Sequence, residues 1–200
     1  MTADNTVERL QRQLAESEAK VHRLDWLIHV STQLSTTLQL GELLQLIMQS
    51  AKEMFQVEAC SVILVDDATG ELIFEVAVGD RSQEVAQQRI PPGRGIAGRV
   101  VQTGEPLVVR SASDDPHFFG GVDQAVGFQT RNLMAVPLQV RGRTIGVVEI
   151  INTRNRADFT TEDLNLAKAL ASQAAIAIDN ARLYHQLSDA LVTARVSYRL

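Results

Sequence analysis

Two apolar runs, LMAVPLQV at residues 133–140 and TIGVVEII at 144–151, are separated by Arg141-Gly142-Arg143. So short a link makes the two strands a tight hairpin, and that hairpin is the strongest constraint on how the chain folds. A second pair of strand signals, at 60–65 and 71–78, is joined by the turn-forming run Asp66-Asp67-Ala68-Thr69-Gly70.

Helical signals surround these strands. Residues 40–55 carry Leu43, Leu44, Ile47, Met48, Ala51 and Phe55 on one face. Residues 80–89 are polar and read as a loop or short helix, ended by Pro91-Pro92-Gly93. Residues 96–102 read as a short helix and 106–110 as a short strand. Thr160 or Thr161 is placed to N-cap an Ala-rich last helix, with Glu162 and Asp163 in its first turn, where the helix dipole favours acid.

Both ends of the chain carry heptads. One N-terminal series is Val7, Leu14, Val21 and Ile28; the other is Leu10, Leu24 and Leu38, with Ser17 and Ser31 between. So narrow a stripe needs a partner, either a second copy in a parallel homodimer or the chain's own last helix. Beyond residue 182, Tyr184, Leu187, Leu191, Ala194 and Tyr198 continue a heptad with no Gly or Pro stop. A mixed sheet-and-helix domain between two projecting helices has the layout of a relay.

Composition removes several function classes. Apolar content of 45% and charged content of 22% are those of a globular chain. A net charge of −5 with no basic run leaves no footprint for nucleic acid. No apolar run reaches membrane-span length and the N-terminus has no apolar core for a secretion signal, so a cytoplasmic setting is expected. Cys60, the single cysteine, permits neither an internal disulfide nor a multi-cysteine metal site. It begins an apolar strand with no histidine beside it, which suits a buried structural thiol better than a nucleophile or chromophore link.

No motif combines a nucleophile with its base, and His22, His29, His117 and His185 share no metal-ligand spacing. Gly93-Arg94-Gly95-Ile96-Ala97-Gly98 fits G-x-G-x-x-G, but it does not follow the buried strand that a dinucleotide site requires. What survives is either a glycine turn serving chain geometry or a helix opening whose Ile96 and Ala97 N–H groups face an anion. The most suggestive stretch is 114–138. There Asp123, Thr130, Phe118 and Phe119 lie among glycines, a lining suited to holding a small molecule. Glu149 lies within the strand run, on the face of Ile145, Val147 and Ile151. A carboxylate there requires an edge position or a partner, Arg131 or Arg99, or else serves as a hydrogen-bond acceptor in a cavity.

The blocks ACSVILVD (59–66), IPPGRGIAGRVVQTGEPL (90–107), GFQTRNLMAVPL (127–138), IGVVEIIN (145–152) and FTTEDL (159–164) together resemble the GAF domains, sensory modules of signalling proteins. The resemblance covers residues 34–184. It implies an α+β fold: a six-stranded antiparallel sheet with helices on both faces, dimerised through coiled-coil terminal helices. Residues 1–37 would be the dimerisation helix, 38–182 the GAF domain and 183–200 the signalling helix.

The cyclic-nucleotide-binding subgroup is similar around residues 114–130. Carried over, Ser61, Asp123, Thr130 and Glu149 would offer polar contacts near a base or sugar. Ile96 and Ala97 would offer N–H groups to a cyclic phosphate, and Phe119 would pack on the ligand.

The chain departs from that pattern at Ala77 and Val78, where such binders have Phe-Asp, and at Val126, which replaces a hydroxyl residue. Of the subgroup's Asn-Lys…Phe-x-x-x-Asp-Glu signature, Asn152, Phe159 and Asp163 are present. Thr153 stands for Lys and Leu164 for Glu, so the Lys–Asp ion pair that the signature implies is lost unless Arg154 or Arg156 substitutes.

The resemblance therefore implies a non-enzymatic sensor without a required cofactor or metal, its candidate ligand cyclic AMP or cyclic GMP. It would signal as a homodimer to a fused or separate kinase, cyclase or phosphodiesterase. The alternatives are a ligand-free dimerisation and transmission module and, less favoured, a cysteine-based free methionine sulfoxide reductase.

Overall fold

The computed structural model describes residues 40–197, with side chains to residue 183. The N-terminal heptads and the side chains of the C-terminal heptad lie outside the described residues. Among those described, no helix is long and apolar enough to cross a membrane.

The first helix, α1 (Leu40–Phe55), buries the six apolar residues that its 3–4 spacing places on one face. It ends where Gln56 turns left-handed at φ 52°. β1 (Val57–Val65) follows directly and pairs antiparallel with β2 (Leu72–Val78). Residues 80–89 then form α2 (Ser82–Val85) and the start of a two-residue strand, β3 (Arg89–Ile90). After the glycine turn come α3 (Gly95–Thr103), β4 (Leu107–Val109) and α4 (Gly121–Val126). The hairpin of β5 (Leu133–Val140) and β6 (Arg143–Thr153) and the long helix α5 (Thr161–Ser197) complete the domain.

The six strands form one sheet in the order β3-β2-β1-β6-β5-β4, and every pairing is antiparallel. The β5–β6 turn has φ 50° at Arg141 and φ 81° at Gly142. Left-handed values at both central residues suit the right-handed twist of the flanking strands.

Strand alternation splits the side chains between two layers. Val62, Met134, Val136, Leu138, Val148 and Ile150 are all but fully buried beneath α1 and α5. Ala167, Ala171, Ala174 and Ala175 let α5 lie close on that face. Gly146 serves the same layer, since a Cβ there would strike the Ile63 carbonyl on β1. On the opposite face Ile63, Leu133, Ala135 and Val147 pack against Ile96, Ala97 and Val100 of α3.

A polar belt ties the end of β6 to the start of α5. Asn152 is fully buried at φ 61°, and its side chain accepts the Arg131 N–H (2.7 Å) and donates to Glu58 and to the Gln129 carbonyl (both 2.8 Å). Asn132 donates to Thr153 Oγ1 at 3.0 Å, and Thr153 donates to the Arg156 carbonyl at 2.7 Å. Arg156 takes the ion-pair position, donating to Asp163 Oδ2 at 2.6 Å. Asp163 and Thr160 also close a reciprocal cap at the start of α5, Thr160 N–H donating to Asp163 at 2.7 Å and Asp163 N–H to Thr160 Oγ1 at 3.2 Å.

Candidate functional site

The glycines of 93–98 have a geometric purpose. Gly93 (φ 71°) and Gly95 (φ 74°) turn left-handed, and a Cβ on Gly98 would meet the Gly93 backbone at 2.5 Å. The turn folds back against the first turn of α3 and aims that helix's N-terminus into the space above the sheet. Arg94 caps it with no side-chain bond, and the first backbone bond of the helix runs from the Gly98 N–H to the Arg94 carbonyl. The N–H groups of Gly95, Ile96 and Ala97 therefore have no partner among the described residues.

That N-terminus is one wall of a cavity of about 90 Å³. On the measure by which one water needs roughly 10 to 15 Å³, it has room for several waters or the body of a small molecule. Ser61, Ile96, Ala97, Phe119, Asp123, Thr130 and Glu149 all line it. Phe118, which the sequence also places in this lining, stands beside Phe119, and Val122 and Phe128 add apolar wall that the sequence reading did not assign.

The floor is a row across four strands. Ser61 stands opposite Ala77 on β2 and Glu149 on β6, and Glu149 stands opposite Ala135 on β5. Ser61 is only 3% exposed, and its Oγ has no hydrogen-bond partner among the described residues. Leaving such a hydroxyl unpaired costs roughly 1 to 3 kcal/mol.

Glu149 also lacks a partner among the described residues. Arg131 binds Glu58 through both guanidinium nitrogens (2.9 and 3.3 Å), and Arg99 reaches His117 Nε2 at 3.0 Å, so the expected pair with either arginine does not form. Glu149 keeps some exposed surface because its side chain opens onto the cavity, but the body of the domain encloses it. Burial, and secondarily the charge of Asp123, push its carboxyl up from an ordinary 4.5 to about 7.

Asp123 behaves differently. From the first turn of α4 it accepts the Thr130 N–H at 2.7 Å and the Thr130 hydroxyl at 2.9 Å. The two residues clasp the loop that α4 opens, so their polar atoms reach the cavity already engaged. A Cβ on Gly121 would meet the Phe119 ring at 2.5 Å, which shows how closely α4 seats that aromatic. Arg94 stands over the same ring, its guanidinium carbon 5.5 Å from the centroid.

Cys60 is next to Ser61 in β1, but its thiol belongs to the helix-covered layer. It is 1% exposed, burial pushes it up to about 12, and Lys52 on α1 is the charge that acts on it. His117 is exposed and engaged by Arg99 and Asp115. No group of three or more metal-ligating side chains occurs among the described residues.

Comparison with known proteins agrees with this architecture. The GAF domain family model matches residues 39–178, and the chain belongs to the GAF domain family. It is 30% identical over 150 residues to the probable 3',5'-cyclic phosphodiesterase pde-5 of Caenorhabditis elegans, covering 70% of this chain and 20% of that protein. It is 31% identical over 147 residues to the dual 3',5'-cyclic-AMP and -GMP phosphodiesterase 11 of Drosophila melanogaster, covering 70% of this chain and 10% of that protein. The chain thus spans only a small part of these relatives' length.

Among solved structures, the GAF domain of a phosphoenolpyruvate-protein phosphotransferase from Coxiella burnetii superposes with a TM-score of 0.73 at 23% identity, covering 82% of this chain and 96% of that one. Free methionine-R-sulfoxide reductase from Neisseria meningitidis gives a TM-score of 0.66 at 24% identity, covering 79% and 89%. Both likenesses concern the fold alone.

Proposed function

We propose that this chain is a sensory GAF domain that holds a small molecule in the cavity above β1, β2 and β6 and passes its presence to an output domain. The observation that carries this reading is the set of unmet hydrogen-bonding groups around one apolar space: the Ser61 hydroxyl, the Glu149 carboxyl and the N–H groups at the start of α3. An occupant that meets them makes hydrogen bonds that the described side chains do not supply. Cyclic AMP and cyclic GMP are the first candidates. Their phosphate suits the α3 N-terminus, and the two phosphodiesterase relatives are named for these nucleotides or their class.

In this proposal residues 38–182 sense, a homodimer through 1–37 and 183–200 transmits, and the output is a kinase, cyclase or phosphodiesterase in the cytoplasm. Catalysis by this chain is not part of the proposal. A cysteine-based reductase is disfavoured by the buried, high-pKa Cys60 thiol turned toward α1, with no second cysteine to resolve it.

A ligand-free transmission module is the second reading. It is favoured by Ala77, Val78 and Val126, cavity-lining residues whose side chains carry no polar atom.

A thermal-shift assay with each cyclic nucleotide at millimolar concentration separates the two. A ligand at a hundred times its dissociation constant adds about 2.7 kcal/mol, a rise in Tm of roughly 5 to 10 °C. No rise with either nucleotide removes them as ligands and leaves the transmission module.

A further inference from the structure

Outside the cavity, a second depression of about 300 Å³ opens at the end of the sheet where β1 and β5 begin and β2 and β6 end. Glu58, Asp80, Phe128, Arg131 and Arg154 line it. Asp80 and Phe128 also line the cavity and form a shared wall, whereas Glu58 and the two arginines belong to the outer space alone.

Backbone contacts fix this frame. A Cβ on Gly79 would meet the Cβ of Ala59 at 3.0 Å and the Glu58 carbonyl at 3.1 Å. Glycine there lets the end of β2 close against β1 and brings Asp80 to the same rim as Glu58. The Arg154 N–H donates to the Gln56 carbonyl at 2.9 Å, and the Arg131 N–H to Asn152 Oδ1 at 2.7 Å. The Phe128 N–H donates to the Asp123 carbonyl at 3.0 Å.

The charges on the frame divide into a spent pair and a free one. Glu58 accepts both guanidinium nitrogens of Arg131, at 2.9 and 3.3 Å, and the Asn152 amide at 2.8 Å. These bonds, that of Arg131 first, hold its carboxyl below the ordinary 4.5. Arg154 acts on Glu58 through its field alone. Neither Asp80 nor Arg154 makes a side-chain hydrogen bond or ion pair among the described residues, with the other or with any neighbour. One unmatched carboxylate and one unmatched guanidinium therefore face a single space. A simple ion satisfies one of them and leaves the other. A molecule that carries both charges satisfies both, and the half-buried Phe128 ring offers a surface for its apolar part.

We propose that this depression is a second binding site, separate from the cavity, for a small zwitterion: an α-amino acid with an apolar or aromatic side chain. Its carboxylate meets Arg154, whose planar fork of donors matches a carboxylate. Its ammonium meets Asp80, and its side chain lies on Phe128. Selection against singly charged molecules follows, because each of them leaves one lining charge without the hydrogen bond that the zwitterion supplies.

The test uses the full chain with phenylalanine as the probe, beside phenethylamine, which lacks its carboxylate, and phenylpropionate, which lacks its ammonium. Binding is followed at pH 7 by NMR of the backbone amides. Phenylalanine should bind at least about tenfold more tightly than either analogue, the equivalent of about 1.4 kcal/mol for each charge matched. Its shifts should centre on Asp80, Phe128 and Arg154. Arg154→Gln should reduce phenylalanine to the level of phenethylamine, and Asp80→Asn to the level of phenylpropionate. Both positions are exposed, so both variants should keep the parent's spectrum elsewhere.

Equal binding of the three probes, no saturable binding at millimolar concentration, or a preference that survives either substitution overturns the site and leaves Asp80 and Arg154 as solvated charges. Shifts centred on Ser61, Ala97 and Glu149 place the amino acid in the cavity and overturn it as well. The outcome does not depend on whether a cyclic nucleotide occupies the cavity, since neither Arg131 nor Arg154 lines that space.

Discussion

The two faces of the sheet obey different rules although they alternate residue by residue along the same strands. Under α1 and α5, around Val62, Val148, Ile150 and the alanines of α5, no buried side-chain nitrogen or oxygen among the described residues is left unpaired. Above β1 and β6, the adjacent positions Ser61 and Glu149 put a lone hydroxyl and a lone carboxyl into an open chamber. One face is optimised for burial, and the other presents polar groups that no described side chain satisfies. Binding sites commonly show this trade, and here it is drawn within single strands.

The largest effect is expected on the packed face. Leu44→Ala, at a fully buried position of α1, should cost about 3 kcal/mol, lowering Tm by roughly 6 to 12 °C without changing the affinity of the folded protein for any occupant. A loss below about 1 kcal/mol in chemical denaturation would mean that this face is not the packed one.

On the cavity face the sign reverses. Because Glu149 has a raised pKa in the folded state, its favourable contribution is complete below about 4.5 and is lost as pH rises through about 7. Glu149→Gln should therefore be more stable than the parent at pH 8, by about 2 kcal/mol once water in the cavity screens part of the cost, and indistinguishable at pH 4.5. Melting curves at the two pH values check this. An equal or lower Tm for the variant at pH 8 would show that Glu149 has a partner.

Asp163 gives the opposite slope. Burial alone would raise it, but hydrogen bonds from Arg156 and Thr160 prevail and hold its carboxyl below the ordinary 3.8. Its contribution is present above that value and is lost as pH falls through its folded pKa. Asp163→Asn should cost roughly 1 to 2 kcal/mol at pH 7 and progressively less under acid, seen as converging urea midpoints.

The smallest effect belongs to Ser61→Ala. Removing a hydroxyl that has no partner should leave Tm unchanged or raised by up to about 1 kcal/mol equivalent. A clear drop would mean that the hydroxyl is bonded in the protein without added ligand.

The packed half of this comparison was readable from the chain. Residues 40–55 and both hairpins announced themselves because local spacing dictates them, and even the Arg141-Gly142 turn follows from its length. α4 escaped notice because six residues between Gly120 and Gly127 show less than two turns of periodicity. β3 has two residues, too few for any alternation.

At the site, residue types could be named but not their partners. Arg131 and Arg99 were reasonable matches for Glu149 until the fold gave them to Glu58 and His117. Asp123 and Thr130 meet across seven positions of loop, a distance no pattern specifies. The Arg156 link to Asp163 was foreseeable as a substitution because two arginines lie in the loop before α5, but only the fold chooses between them.

Calorimetric titration of cyclic AMP and cyclic GMP into the full chain, beside a variant whose chamber is filled by Val126→Phe, tests the cavity reading most directly. Val126 is buried against the cavity, so the added ring occupies the ligand's space without touching the α1–α5 face. The account predicts saturable binding of one nucleotide per chain in the parent and its loss in the filled variant, with both proteins folded. Binding that persists in Val126→Phe, or no heat of binding in the parent, would contradict it.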